Sequence, residues 1–182
     1  MAYKFQHIAI GGTFDLLHKG HEKFIKTAFL YGKKVSIGIT GDSLLKKFSK
    51  KTYQNQAQRK KEVINFLKKY KFQNRAKIIV LKDIYGTTLK DKTVEAIVST
   101  KETLANVKLI NKERFKKNLK KLKIINCSLA LTYDKRQITS GRIRNGETDR
   151  NGKSYIMRLL HIADQRLTEE IRTKLKKPLD KL

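Results

Sequence analysis

Residues 3–21 read YKFQHIAIGGTFDLLHKGH, and the reading of this stretch decides the fold. Residues 3–10 mix apolar and β-branched side chains and run into Gly11-Gly12, which predicts a strand ending in a turn. Residues 21–32, HEKFIKTAFLYG, then place Phe24, Ile25, Ala28 and Phe29 at helical spacing and stop at Gly32. The same alternation continues down the chain. KKVSIGIT (33–40) reads as a second strand, and GDSLLKKF (41–48) as a short helix capped by Asp42 or Ser43. A longer helix is expected over about residues 56–70, with Val63, Ile64, Phe66 and Leu67 facing inward. AKIIVLKD (76–83) and EAIVST (95–100) are further strands, ETLANVKLINKERFKKN (102–118) a helix, and LKIINCSLAL (122–131) a fifth strand.

Short apolar strands alternating with helices imply an α/β protein, a Rossmann-like doubly wound parallel sheet of about five strands. This domain is expected over residues 1–152. Residues 153–182 form a C-terminal helical extension, where Ile156, Leu160, Ala163, Leu167, Ile171 and Leu175 recur every three or four positions before Pro178. That amphipathic helix either completes the same domain or offers an interaction surface.

Bulk composition narrows the function classes. The chain has 182 residues, 39% hydrophobic and 32% charged, which suits a folded globular protein and not a disordered one. No apolar run approaches the roughly 20 residues that span a bilayer, and the N-terminal residues lack a signal peptide's apolar core and cleavage site. Cys127 is the single cysteine, so no internal disulfide forms; it reads as a buried, inert thiol in a reducing, cytoplasmic setting. Lysine and arginine total 43 against 16 acidic residues, a net charge of +27. Such a field attracts polyanions, although lysines spread over exposed helix faces account for most of it. The arginines are placed differently: seven of the ten lie beyond residue 135, and arginine's planar fork suits phosphate.

Parallel sheets bind ligands at the carboxyl ends of their strands, and GGTFDLLHKGH lies there. Gly11 and Gly12 allow a ligand close to the backbone, as does Gly20 at the start of the helix. A helix opening near Lys19 offers backbone N–H groups and a positive dipole end to an anion. His18 and His21, one turn apart, project to one side and suit a phosphate whose charge grows during reaction. Zinc is a poorer fit because no third ligand accompanies the pair. GGTFDL also lacks the G-x-G-x-x-G of a dinucleotide fingerprint. His7 and His161 read as ordinary structural or surface residues. Late in the chain ITSGRIR (138–144) follows a strand and opens a helix. Alone this motif reads as a plain Ser/Thr N-cap on a basic helix; beside the histidine motif, the Thr139 and Ser140 hydroxyls, backbone N–H groups and the Arg142 and Arg144 forks read as a second anion site.

G-G-T-F-D followed by H-x-G-H resembles the signature of the nucleotidyltransferase superfamily, and ITSGRIR resembles that superfamily's I-S-S-T-x-x-R. RIRNGETDRNG (142–152), IYGTTLKD (84–91) and IVSTKETLANVKLIN (97–111) resemble, in order, segments of the archaeal and eukaryotic-type phosphopantetheine adenylyltransferases. The resemblance covers about residues 6–152, with Gly141 standing where a hydroxyl residue is common. It implies adenylyl transfer from ATP to 4'-phosphopantetheine, giving dephospho-coenzyme A and pyrophosphate, a step of coenzyme A biosynthesis. It also implies in-line attack without a covalent intermediate. His21 would stabilise the α-phosphate transition state and His18 would hold the ATP phosphates. Thr13 and Phe14 would lie where the substrates meet, Thr13 close to the acceptor phosphate. Ser140, Arg142 and Arg144 would clamp the β- and γ-phosphates, and Lys46 or Lys47 would take the acceptor phosphate. Mg²⁺ would arrive with ATP and keep most of its waters, with no protein cage. Sibling reactions with nicotinamide mononucleotide, flavin mononucleotide or glycerol phosphate as acceptor form the alternative, and a basic nucleic-acid-binding module is a more distant one.

Overall fold

The computed structural model describes residues 3–155, together with residues 165, 166 and 169. Five strands and five helices follow in chain order: β1 (Phe5–Gly12), α1 (Lys19–Tyr31), β2 (Gly32–Thr40), α2 (Asp42–Lys47), α3 (Gln56–Lys69), β3 (Ala76–Leu81), β4 (Ala96–Ser99), α4 (Leu104–Lys116), β5 (Lys123–Asn126) and α5 (Ser140–Arg144). All strand pairs are parallel, in the order β3-β2-β1-β4-β5. The doubly wound expectation is met. The helix expected over residues 153–182 and His161 lie almost wholly outside the described residues.

Period-two alternation sends the two faces of the sheet to different helices. Ile8 and Ile10 of β1, Val35, Ile37 and Ile39 of β2, and Ala96 and Val98 of β4 pack with Phe24, Ile25, Ala28 and Phe29 of α1 and with Val63, Phe66 and Leu67 of α3. Ala9 and Ile97, the intervening residues, pack instead with Val107 and Ile110 of α4. Each fully buried aliphatic or aromatic side chain contributes about 1.5–3 kcal/mol, so this two-sided burial fixes the register in which β1 lies between β2 and β4.

Several element ends differ from the sequence reading. β1 continues through both glycines, because Gly11 and Gly12 pair with Gly38 and Ile39 of β2. The N-cap of α2 is Gly41, not Asp42 or Ser43; the Asp42 carboxylate is drawn instead to the Gln56 N–H and the Arg59 guanidinium. β5 stops at Asn126, so Cys127 lies just past it, buried as expected, with its thiol beside the Thr27 hydroxyl. On α3 the inward position that the pattern assigned to Ile64 is only half-buried, whereas Arg59 is fully buried. His7 is a structural tie, its ring nitrogens each 2.8 Å from the hydroxyls of Ser36 and Thr93. Among the described residues no helix is long and apolar enough to cross a membrane.

Candidate active site

The sheet order reverses between β1 and β4, since β1 leads outward to β2 and β3 while β4 starts the other wing. Strand ends diverge at such a point and leave a crevice. A cleft of about 400 Å³ opens there, bounded by the ends of β1, β2 and β4 and by the chain that leaves β5.

The turn after β1 builds its floor. Phe14 and Leu16 both have positive φ, 54° and 49°, a conformation bulky residues rarely adopt. The backward bend folds the Phe14 ring over Gly12, where an added Cβ would meet the ring at 3.1 Å. The same ring lies 5.4 Å from that of His21. His18 is the N-cap of α1, its Nδ1 accepting from the Gly20 N–H at 3.1 Å. Gly20 lines the cleft, and a Cβ there would meet the His18 ring at 2.9 Å, so its missing side chain also makes room for the imidazole.

The helix mouth is also less open than the sequence suggests. The Gly20 N–H is taken by His18, and the Lys19 N–H donates to the Arg150 carbonyl. The anion-binding capacity therefore rests on the two imidazoles. Their rings stack 3.8 Å apart at 22°. Burial pushes the His18 pKa down to about 4, with the Arg150 charge adding to the effect and Asp15 opposing it. Burial likewise holds His21 well below its ordinary value, reinforced by His18 and Lys50. Both rings are neutral at pH 7. The Nδ1 atom of His21 is buried with no hydrogen-bond partner among the described residues. A buried imidazole nitrogen left unpaired is costly.

The second motif reaches the first through Asp15. The Ser140 hydroxyl donates to the Asp15 carbonyl at 2.7 Å, and Arg144 pairs with the buried Asp15 carboxylate at 2.9 Å. The Tyr53 and Gln54 N–H groups donate to the same carboxylate. Thr139 and Ser140 line the cleft opposite Gly11, Gly12, Thr13, Phe14, His18, Gly20 and His21. The two motifs thus face one another across one space.

Four candidate phosphate ligands are placed otherwise. Arg142 is outside the cleft lining. Its guanidinium donates to Asp134 at 2.6 Å, to Glu147 at 2.9 Å and to the Thr132 hydroxyl at 2.9 Å. These carboxylates satisfy the fork internally, and the hydrogen bond to Glu147 raises its pKa further. Arg144 also stands outside the lining and is held by Asp15. Lys46 and Lys47 are exposed on α2, because that helix buries Leu44 and Leu45 against the core and turns the lysines outward. The backbone then bends at Ser49, φ 50°, and brings Lys50 to the cleft instead. The sequence reading missed Lys50, the buried hub Asp15 and the polar group Thr100, Thr103 and Asn106 beyond β4. Asp15 stood inside the quoted GGTFD and was the one of these with a visible signal, a carboxylate amid apolar neighbours.

The sheet order, the cleft at its reversal and the paired imidazoles facing a hydroxyl-rich turn define a nucleotidyltransferase-type α/β protein. Residues 9–146 match the model of the cytidylyltransferase-like family, and the chain belongs to that family. It is 37% identical over 146 residues to the phosphopantetheine adenylyltransferase of Methanopyrus kandleri, covering 80% of this chain and 92% of that one. It is 35% identical over 148 residues to the enzyme of the same name from Pyrococcus abyssi, covering 80% and 93%. Among solved structures, a protein of unknown function from Archaeoglobus fulgidus matches with a TM-score of 0.57 and 30% identity, over 66% of this chain and 88% of that one.

Proposed function

We propose that the chain transfers the adenylyl group of ATP to 4'-phosphopantetheine, releasing pyrophosphate and forming dephospho-coenzyme A. The observation that carries the reading is the stacked, neutral His18–His21 pair, with one orphaned buried nitrogen, facing the Thr139–Ser140 turn across a single cleft. The relatives that cover most of the chain bear the name of this activity.

The acceptor is a phosphate monoester, already anionic, and needs no base. Its oxygen attacks the α-phosphorus in line, the bond from that phosphorus to the bridging oxygen breaks, and pyrophosphate departs with the electron pair. The chain's task is positioning and charge stabilisation. His18, whose Nδ1 accepts from Gly20, carries its proton on Nε2 and presents a donor. His21 donates toward the α-phosphate oxygens, where charge builds in the transition state. An arriving polyanion raises both imidazole pKa values, opposing the burial that depresses them. Thr13 stands beside the acceptor phosphate, Ser140 and the Arg144 it adjoins meet the β- and γ-phosphates, and Lys50 replaces Lys46 as the cation for the acceptor phosphate. The polar residues beyond β4, Thr100, Thr103 and Asn106, suit the amide-bearing arm of the acceptor.

Mg²⁺ would accompany ATP and neutralise triphosphate charge. Among the described residues no group of three or more His, Cys, Asp or Glu side chains could hold it, and Asp15 is already committed to Arg144.

The deciding experiment incubates the chain with ATP, Mg²⁺ and each candidate acceptor and measures pyrophosphate release. Release with 4'-phosphopantetheine, and not with nicotinamide mononucleotide, flavin mononucleotide or glycerol phosphate, is expected. Release with one of the others alone would reassign the acceptor, and none with any of them would overturn the reading.

A further inference from the structure

One residue of α3 breaks its amphipathic pattern. Arg59 shares the inward face with Val63 and Phe66, yet it is a fully buried cation. Arginine does not shed its charge, and an apolar side chain of similar volume commonly serves a core at least as well. Its partners are specific. One guanidinium nitrogen donates to the carbonyls of Thr13 and Thr40, each at 2.8 Å, and another to Asp42 at 2.6 Å. Thr40 ends β2 and Thr13 directly follows β1, so a single planar fork ties the exits of two neighbouring strands together. Its Nε is buried without a hydrogen-bond partner among the described residues. The group is therefore placed for the two carbonyls and not for its own full satisfaction.

We propose that Arg59 is a positioning residue for the transfer reaction, holding the Thr13–Phe14 peptide so that its N–H faces the phosphates in the cleft. The proposal rests on the adenylyl-transfer reading above. A trans peptide points its C=O and N–H in opposite directions. Arg59 does not line the cleft whereas Thr13 and Phe14 do, so it grips the Thr13 carbonyl from behind and the Phe14 N–H points forward. Phe14 sits at φ 54°, a conformation that survives only where the surroundings over-determine it. The grip on Thr13 from one side and the wedge of the Phe14 ring between Gly12 and His21 from the other supply that constraint.

Arg59→Lys tests the idea, because lysine keeps the charge but has no planar fork to span two carbonyls and a carboxylate. The expected result is a fall in kcat per folded molecule of about tenfold or more with the ATP KM within about threefold. Amide hydrogen exchange in peptides covering residues 11–16 should also quicken about tenfold while α4 is unchanged. A variant that melts earlier but keeps wild-type kcat and wild-type exchange at 11–16 would overturn the proposal, as would a loss confined to the ATP KM. If the lysine variant does not fold, Asp42→Ala releases one corner of the fork from a half-exposed position. A drop in kcat of about threefold or more, with faster exchange at 11–16, is expected there; no change in either would overturn the proposal. A wild-type chain that releases no pyrophosphate would sink the parent reading and the proposal with it, whereas wild-type release with unchanged kcat and exchange in the variants would sink the proposal alone.

Discussion

The turn after β1 and the turn that opens α5 were both read as phosphate grips, and they treat their ionisable groups in opposite ways. In the first, burial strips two imidazoles of charge and leaves the Nδ1 of His21 without a partner among the described residues. In the second, every cationic fork is already matched, Arg142 by Asp134 and Glu147 and Arg144 by Asp15. One turn keeps two neutral rings beside the cleft, while the other commits its charge to holding the wall. On the proposed reading the chemistry is expected at the histidine turn, with the basic turn contributing Ser140 and the exposed part of Arg144 and otherwise holding the wall.

The largest effect expected from that division is on His21→Ala. Removing a transition-state donor costs roughly a hundredfold or more in kcat. The fold should hold, because the lost nitrogen had no hydrogen bond to give up. Steady-state pyrophosphate release together with circular dichroism checks both halves. Turnover within a few-fold of wild type would erase the contrast between the turns.

Arg142→Ala should fail in the complementary way, losing stability and not chemistry. The variant takes a donor from Asp134, Glu147, the Thr132 hydroxyl and the Gln137 carbonyl, leaving both carboxylates to Arg136. A lower urea midpoint is expected, with kcat per folded molecule close to wild type. A stable variant with depressed kcat would move Arg142 into the reacting centre.

Acid should act through the histidine turn. The folded pKa of His18, about 4, lies below the ordinary 6.5, so between those values the unfolded chain binds more protons and stability falls as pH drops. The loss attributable to His18 is about 2 kcal/mol at pH 5 relative to pH 7. His18→Asn keeps a capping acceptor for Gly20 but removes the titration, so its stability should be flatter across this window. An equally steep slope in the variant would assign the acid sensitivity elsewhere.

Patterns that repeat along the chain were legible before the structure. Alternating strands, the helical spacing of Phe24, Ile25, Ala28 and Phe29, and the place of the histidine motif at a strand end all come from local periodicity, and the sheet confirms them. What escaped depends on partners distant in sequence. Arg144 meets Asp15 across 129 positions, and Arg59 reaches Thr13 across 46. No spacing rule shows that an arginine's charge is already taken. Lys46 and Lys47 were named and Lys50 missed because nothing in KKFSK reveals the positive φ at Ser49 that redirects the chain. β5 was overextended because IINCSLAL stays apolar after its pairing with β4 ends at Asn126.

Arg144 tests where the boundary between the two turns lies. Unlike Arg142, its side chain is 31% exposed, and it joins the two motifs through a carboxylate that is itself 2% exposed. Arg144→Ala leaves Asp15 with the Tyr53 and Gln54 N–H groups, so the carboxylate is not orphaned and the stability loss should stay within about 1 kcal/mol. If the exposed part of the guanidinium also meets the triphosphate, the ATP KM should rise about tenfold, or about 1.4 kcal/mol, with kcat little changed. Arg144→Lys should recover part of that loss through charge alone, since lysine lacks the bidentate fork. A KM unmoved in both variants would make Arg144 as architectural as Arg142, leaving ATP to be held by the histidine turn and Ser140.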